Sequence, residues 1–169
     1  MKRQIFFAVA LSGAAAGFGT VYSSSADTPP ELASPIYGVT LPDGYRDWKF
    51  IAPAQEAPPL DELRAVLAND IAVDAYTSGT LPFPDGSILV KLAYKRQQST
   101  EFPPATIPGA ATTVQVMVKD SRKYAASHGW GFGRFVNGKA VDAAQHETCL
   151  SCHEGNVKDH DFVFTRYAP

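Results

Sequence analysis

The sequence contains few cysteines, few methionines and no cluster of positive charge. Of its 169 residues, two are Cys and two are Met. Both cysteines lie in one short motif, so either a disulfide or a bound cofactor accounts for them. The 15 Lys and Arg residues form no block that would follow phosphates, and we expect no nucleic-acid partner. The 13 Pro and 13 Gly residues argue against a bundle of long helices.

The longest apolar run lies near the N-terminus. Lys2 and Arg3 precede an apolar stretch over residues 5–17, which is too short to cross a bilayer with margin. This order is typical of a signal peptide, and we expect cleavage between Ala26 and Asp27. The prediction is therefore an exported, periplasmic protein without a membrane anchor after cleavage. Removal of the signal peptide would leave 13 basic and 17 acidic residues, a formal charge near −4.

The rest of the chain is expected to form one domain. Residues 27–40 are polar and rich in Pro, which indicates a flexible lead-in, and order is expected over residues 41–169. Residues 63–69 are predicted to form a strand and residues 70–76 a short helix capped by Asp70. Pro53, Pro58 and Pro59 indicate a loop before this strand.

Alternating polarity predicts three further strands. Residues 87–95 place Ile88, Val90, Leu92 and Tyr94 on one apolar face, and Lys91 on a mixed face. Residues 112–118 alternate in the same way. Residues 129–136 are rich in Gly and aromatics, which indicates a strand whose backbone approaches another group closely. The Pro-Asp-Gly sequence at residues 84–86 is typical of a tight turn.

The two cysteines belong to Cys149-Leu150-Ser151-Cys152-His153, which has the C-x-x-C-H spacing of c-type haem attachment. Two thiols one helical turn apart reach the two vinyl groups on one porphyrin edge, and the next residue can ligate the iron. We therefore expect one covalent haem c per chain, with His153 as the iron ligand. The alternative is a redox-active or structural disulfide, in which His153 has no obligatory part.

The sixth iron ligand separates an electron carrier from an open site. Sixteen residues follow His153 and none is Met, so His160 is the sole downstream candidate. Upstream candidates are Met117, His128 and His146, but a lone Met on a strand more often fills a core. We expect a five-coordinate iron with an open face, which favours ligand binding or chemistry over pure electron transfer.

Seven short segments follow one another in a fixed order over residues 41–167. They are Tyr45-Arg46-Asp47-Trp48, Glu62-Leu63-Arg64, Asp85-Gly86 with Val90-Lys91, Val118-Lys119-Asp120-Ser121, and residues 130–135, 149–153 and 161–166. In this order they resemble the cytochrome P-460 family, which includes the cytochromes c′-beta. The resemblance implies an α+β fold, mainly an antiparallel β-sheet with a few short helices and a C-terminal haem-attachment helix. It also implies a homodimer.

The same resemblance assigns roles to two cationic side chains. Lys91 stands where the true P-460 enzymes have a lysine bonded through its side-chain nitrogen to the porphyrin rim. The alternative is an ordinary strand lysine that faces water. Arg64 matches an arginine of the family's distal region, where its donors would bond a polar ligand or a haem propionate. The alternative for Arg64 is a surface charge on an edge strand.

Gln115 departs from the pattern of the hydroxylamine-oxidising members, which have a glutamate above the iron. A carboxylate can take a proton from hydroxylamine, whereas an amide can only donate or accept a hydrogen bond. The c′-beta members line this side with phenylalanines, for which Phe50, Phe83 and Phe102 are available.

The predicted function is therefore binding or redox conversion of small nitrogen oxides such as hydroxylamine and nitric oxide, with Gln115 and Arg64 as candidate catalytic residues. A hydroxylamine or nitrogen-oxide oxidoreductase and a non-catalytic binder of nitric oxide are the two leading alternatives. An electron-transfer cytochrome, served by a separate redox partner protein, is the third.

Overall fold

A computed structural model describes residues 31–168 of the chain. Within this range, six strands form one antiparallel sheet in sequence order, and two helices pack against it. The elements are β1 (Lys49–Glu56), β2 (Glu62–Ala68), α1 (Asp70–Ser78), β3 (Ile88–Gln98), β4 (Thr106–Lys119), β5 (Trp130–Val136), β6 (Lys139–Ala140) and α2 (Ala143–Val157). The predicted α+β class is confirmed.

The periodic segments of the sequence correspond to strands β2 to β5. Both β3 and β4 extend beyond their alternating parts, and they pair along most of their length. In β5, a Cβ atom on Gly131 would lie 2.3 Å from the ring of Tyr124. Glycine is therefore required there, as the predicted close approach implies.

Pro58 and Pro59 lie in the predicted loop, between β1 and β2, but Pro53 lies within strand β1. This strand pairs with β2, and Pro53 lies opposite Ala65. In the described part of the chain β1 is an edge strand of the sheet. An edge strand tolerates Pro, because the missing N–H can face away from the neighbouring strand. The loop prediction for Pro53 was wrong for this reason.

The cap of helix α1 also differs from the prediction. Asn69, not Asp70, is the N-cap, and its Oδ1 accepts a hydrogen bond from Ala72 N at 3.2 Å. The same oxygen accepts from Ile88 N at 3.0 Å, and Asn69 Nδ2 donates to Gly86 O at 2.8 Å. An amide both donates and accepts, so Asn69 can join the helix to the start of β3 where an aspartate could not.

Each face of the sheet covers a separate core. The first core lies under the two helices and includes Val66, Leu89 and Phe132. The second core, on the opposite face, includes Val90, Leu92 and other residues of the apolar face predicted from the sequence. Because side chains alternate along a strand, the mixed face of β3 points toward the helices. The mixed face is therefore a packed surface.

Residues 31–40 pack against the sheet, in contrast to the flexible lead-in expected there. Ser34 Oγ donates to Phe132 O at 2.8 Å, and Val39 is buried in the second core. The described part of this segment thus belongs to the domain. The predicted signal peptide, residues 1–26, lies outside the described residues. No described helix is long and apolar enough to span a membrane.

Candidate haem site

Helix α2 carries the C-x-x-C-H motif. It begins after Asp142, whose side chain caps the helix by accepting from Gln145 N at 3.0 Å. Cys149 is partly buried against the first core, Cys152 is exposed, and the two thiols are not bonded to each other. Positions three apart in a helix lie on one side. The helix thus offers two unpaired thiols along one edge, and burial raises the pKa of Cys149.

One ring nitrogen of His153 is hydrogen-bonded to the backbone, and the other is available to a metal. Its Nδ1 lies 2.6 Å from Phe162 O, and because a carbonyl oxygen only accepts, Nδ1 carries the proton. The lone pair is then on Nε2, as a metal ligand requires. The rings of Phe132 and Phe164 lie 5.0 Å from the imidazole. Burial lowers the pKa of His153, which favours the neutral, ligating form.

The other three histidines have different surroundings. His146 is fully buried, and its Nε2 accepts from Arg134 N at 3.0 Å while Nδ1 lies 2.8 Å from Asp142 O. Both of its nitrogens are therefore used. His128 is exposed beside Glu154, and its ring stacks on Phe162. His160 Nδ1 donates to Val163 O at 2.9 Å.

The last candidate for the sixth ligand, Met117, packs against the first core. It lies on β4 opposite Leu89 of β3 and Phe132 of β5. This is the core-filling role that a lone strand methionine usually has.

Three polar side chains form a row across the sheet on the face covered by α2. Lys91 of β3 is the partner of Gln115 of β4, which is the partner of Arg134 of β5. Residues directly opposite each other on antiparallel strands place their side chains on the same face. The charges of Lys91 and Arg134 both act on the thiol of Cys149. The fold therefore brings the predicted residues Lys91 and Gln115 together with the motif.

The amine of Lys91 is in an unusual environment for a lysine. Burial, followed by the charges of Arg64 and Arg134, lowers its pKa to about 8. About a tenth of the amine is then unprotonated at pH 7, far more than for an ordinary lysine, and the neutral form is the nucleophile. Gln115 is neutral and its Nε2 lies 3.4 Å from Thr113 Oγ1, so it supplies no counter-charge. This environment suits a lysine that reacts more than one that faces water.

Arg64 is held by two carboxylates. It forms ion pairs with Glu56 and Glu62, and its Nη2 donates to Glu62 Oε2 at 2.9 Å. Glu62 is buried, and its other oxygen accepts from Thr112 Oγ1 at 2.7 Å. Strand β2 is an interior strand, so the edge-strand alternative for Arg64 was wrong. Glu62 fixes the guanidinium, a role that the matched Glu-Leu-Arg segment did not reveal.

Arg134 is the site residue that sequence reasoning missed. Its Nε is buried and has no hydrogen-bond partner among the described residues. A buried donor without a partner is costly unless a bound group satisfies it. Arg134 was detectable as the single cation in the otherwise apolar segment of residues 130–135. A carboxylate group, such as a propionate of a haem, has the chemistry that this donor needs.

The phenylalanines suggested for the distal side do not lie together. Phe83 is buried in the first core beside Trp130, whereas Phe50 and Phe102 are exposed. Phe102 lies between β3 and β4 and is 63% exposed. The aromatic rings that contact His153 are those of Phe132 and Phe164, which the sequence did not single out.

The family profile of cytochrome P460 matches residues 42–165. The chain belongs to the cytochrome P460 family. A member of this family is a haem-binding cytochrome, and the residues of α2 and of the opposing sheet face fit that group. They supply two thiols, one imidazole with an available nitrogen and, at Arg134, a buried donor that has no partner within residues 31–168. A search of curated proteins finds no match to the chain.

Proposed function

We propose that this cytochrome P460 family protein is an exported, periplasmic haem c protein with an open iron site for small nitrogen oxides. In this proposal Cys149 and Cys152 bond covalently to one haem per chain, and His153 is the axial ligand. The support for attachment is the pair of free thiols on one edge of α2. The support for ligation is the hydrogen bond that leaves His153 Nε2 available.

The observation that carries the proposal is the polar row on the sheet face covered by α2. Lys91, Gln115 and Arg134 present an amine, an amide and a guanidinium on the same face as the first core. Such groups orient a small polar ligand by hydrogen bonds. A site built for electron transfer alone does not need them.

The bound haem supplies an iron that binds small ligands and exchanges electrons. The protein's own residues then decide which ligands are held and whether a proton moves. Gln115 can donate a hydrogen bond to a ligand oxygen or accept one from a ligand N–H, but it cannot take a proton at neutral pH. Arg64 lies on the same face, where its charge is paired with Glu56 and Glu62 and its guanidinium is held in a fixed orientation.

We further propose that Lys91 is bonded through Nζ to the porphyrin rim, a bond that replaces one N–H of the amine and one C–H of the rim and whose two protons and two electrons pass to a peroxide as oxidant. A buried ammonium without a carboxylate partner is costly, and loss of its charge in a covalent bond removes that cost. The lowered pKa of Lys91, about 8, provides the neutral amine that bond formation needs.

A second function is a non-catalytic binder of nitric oxide, of the c′-beta type. The observation that favours it is the identity of residue 115, because an amide replaces the proton acceptor of hydroxylamine oxidation. An electron carrier is the weaker alternative. It would require a sixth ligand from His128, His160 or Met117. The rings of the two histidines and the side chain of Met117 have other partners.

As further proposals, the protein forms a homodimer and exchanges electrons with a separate redox protein.

The test is the absorption spectrum of the purified protein, oxidised and reduced, with and without nitric oxide and hydroxylamine. We expect adducts with nitric oxide and a five-coordinate spectrum before ligand is added. A low-spin six-coordinate spectrum that nitric oxide does not change would contradict the open site. Turnover of hydroxylamine with an electron acceptor separates the oxidoreductase from the binder.

The Gln115→Glu variant tests the role of the amide. If proton removal limits hydroxylamine oxidation, the variant should oxidise hydroxylamine about a hundredfold faster than wild type. Gln97→Glu is the matched control, because Gln97 is an exposed residue of β3. Rapid oxidation by wild type, unchanged by either substitution, would show that residue 115 does not govern proton transfer.

A further inference from the structure

A buried ion pair joins the end of β4 to the segment after α2. Lys119 Nζ lies 2.7 Å from Asp161 Oδ1 and 2.9 Å from Asp161 Oδ2. The two side chains are 7% and 8% exposed. Removing two charges from water is expensive, so such a pair is weak support for stability and needs another reason.

Further hydrogen bonds fix both partners. Asp161 Oδ2 accepts from Phe83 N at 2.8 Å, and Asp161 O accepts from Trp130 Nε1 at 2.8 Å. Lys119 Nζ also donates to His128 O at 3.3 Å and lies 4.9 Å from the centre of the Trp130 ring. The pair is therefore part of a rigid network that anchors the backbone at Asp161.

This backbone is held in a conformation that L-residues rarely adopt. Asp161 has a φ of 45° and Phe162 a φ of 62°, and neither is a glycine. Two consecutive residues in the left-handed region cost free energy and persist when their surroundings enforce them. Such strain is often found where a functional group must be aimed.

This turn orients the backbone carbonyl of Phe162. Phe162 N donates to Val157 O at 3.0 Å, at the end of α2, and Phe162 O accepts from His153 Nδ1 at 2.6 Å. The ring of Phe162 stacks on His128 at 4.4 Å, which holds the residue from its other side. The Lys119–Asp161 pair is thus one residue away from the hydrogen bond that orients the imidazole.

We propose that Lys119 and Asp161 are positioning residues that set the orientation and basicity of His153 as an iron ligand, through the Phe162 carbonyl. This rests on the proposed function in one respect, that His153 ligates the haem iron. A short hydrogen bond from Nδ1 adds electron density to the imidazole and strengthens its bond to the metal. Loss of the anchoring pair lets the turn relax, lengthens that hydrogen bond and weakens the ligand.

The test compares two charge-neutral double variants of the haem-loaded protein. Lys119→Met with Asp161→Asn removes the buried pair, and the new amide oxygen still accepts from Phe83 N. The control is Arg96→Met with Asp61→Asn, which removes a pair of the same charges, 2.9 Å apart and solvent-exposed, between β3 and the segment before β2. The readouts are the iron–histidine stretching band in the resonance Raman spectrum of the reduced protein, and the haem reduction potential.

For the buried pair we expect a lower iron–histidine frequency and a higher reduction potential, because a less basic imidazole stabilises oxidised iron less. Affinity of the reduced protein for carbon monoxide should change about tenfold. The surface control should keep all three wild-type values. If this double variant does not fold, Lys119→Gln with Asp161→Asn, which leaves no buried charge and lets the two amides hydrogen-bond, should shift the frequency in the same direction by a smaller amount.

A folded variant without the pair that keeps the wild-type frequency and potential would overturn the proposal, even if it unfolds more easily. Lys119→Arg, which retains the ion pair, is expected to retain the wild-type frequency, and a full shift in this variant would also contradict it. Failure of the proposed function would look different. In that case the iron–histidine band would be missing from the wild-type protein itself.

Discussion

Replacing Lys91 with Met should stabilise the chain when no haem is attached. The background carries Cys149→Ala and Cys152→Ala, so that the amine has no porphyrin to bond. In the folded chain, burial and the charges of Arg64 and Arg134 lower the pKa of Lys91 from 10.5 to about 8. Methionine has a similar length and no charge, so it removes the cost of burying the ammonium and keeps most of the packing.

The size of the effect follows from linkage. Each pKa unit corresponds to about 1.4 kcal/mol, so the lowered pKa costs at most about 3 kcal/mol at pH 7. Between pH 8 and 10.5 the unfolded chain binds more protons than the folded chain, and the stability of the parent chain therefore rises with pH. The advantage of Lys91→Met should fall to about 1 kcal/mol at pH 10.

Urea unfolding at pH 7 and pH 10 measures this difference as a shift in midpoint at constant slope. Lys49→Met is the matched control, because Lys49 is an exposed residue at the start of β1, and it should change stability by less than about 0.5 kcal/mol. If Lys91→Met does not raise the free energy of unfolding at pH 7, or raises it equally at pH 7 and pH 10, the account of Lys91 is refuted. In the haem-loaded protein the proposed cross-link already removes the charge, so no gain is expected there.

Two further predictions concern the framework of the site. Gly131→Ala should destabilise the protein by about 1–3 kcal/mol in thermal or urea unfolding, because the new methyl group would overlap the Tyr124 ring. Gly155→Ala, in open space on α2, should instead be neutral or stabilising, and equal costs would refute the packing argument. Asn69→Ala should cost about 1–2 kcal/mol through the lost cap, whereas Asp70→Ala should cost little, and the reverse order would contradict the assignment.

Local patterns predicted much of the fold. The alternation around Lys91 identified β3, because a strand with one apolar face shows its period in a few residues. The C-x-x-C-H spacing predicted haem attachment by α2 for the same reason, since all its parts lie within about one helical turn. The cap of α1 was misassigned to Asp70 because the choice depends on Gly86 and Ile88, which are distant in sequence from the helix.

The rest of the site depends on contacts between distant segments. Whether the mixed face of β3 meets water or a helix is decided by where α1 and α2 pack, which no strand pattern contains. The burial of Arg134 Nε without a hydrogen-bond partner among the described residues can be recognised only when β5 is placed beside β4. The ion pair between Lys119 and Asp161 joins residues 42 positions apart. Its partners could not be matched by sequence because several other charged residues were equally available.

Mass spectrometry of the protein after acid-acetone extraction and proteolysis tests the central claim most directly. The account predicts that one haem stays on each chain, joined to the peptide that contains Cys149 and Cys152. It also predicts that the peptide containing Lys91 is attached to the same haem. A chain that has lost all haem to the extract, with both cysteine thiols free, would contradict the proposed function. Haem retained on the cysteine peptide alone would contradict only the cross-link to Lys91.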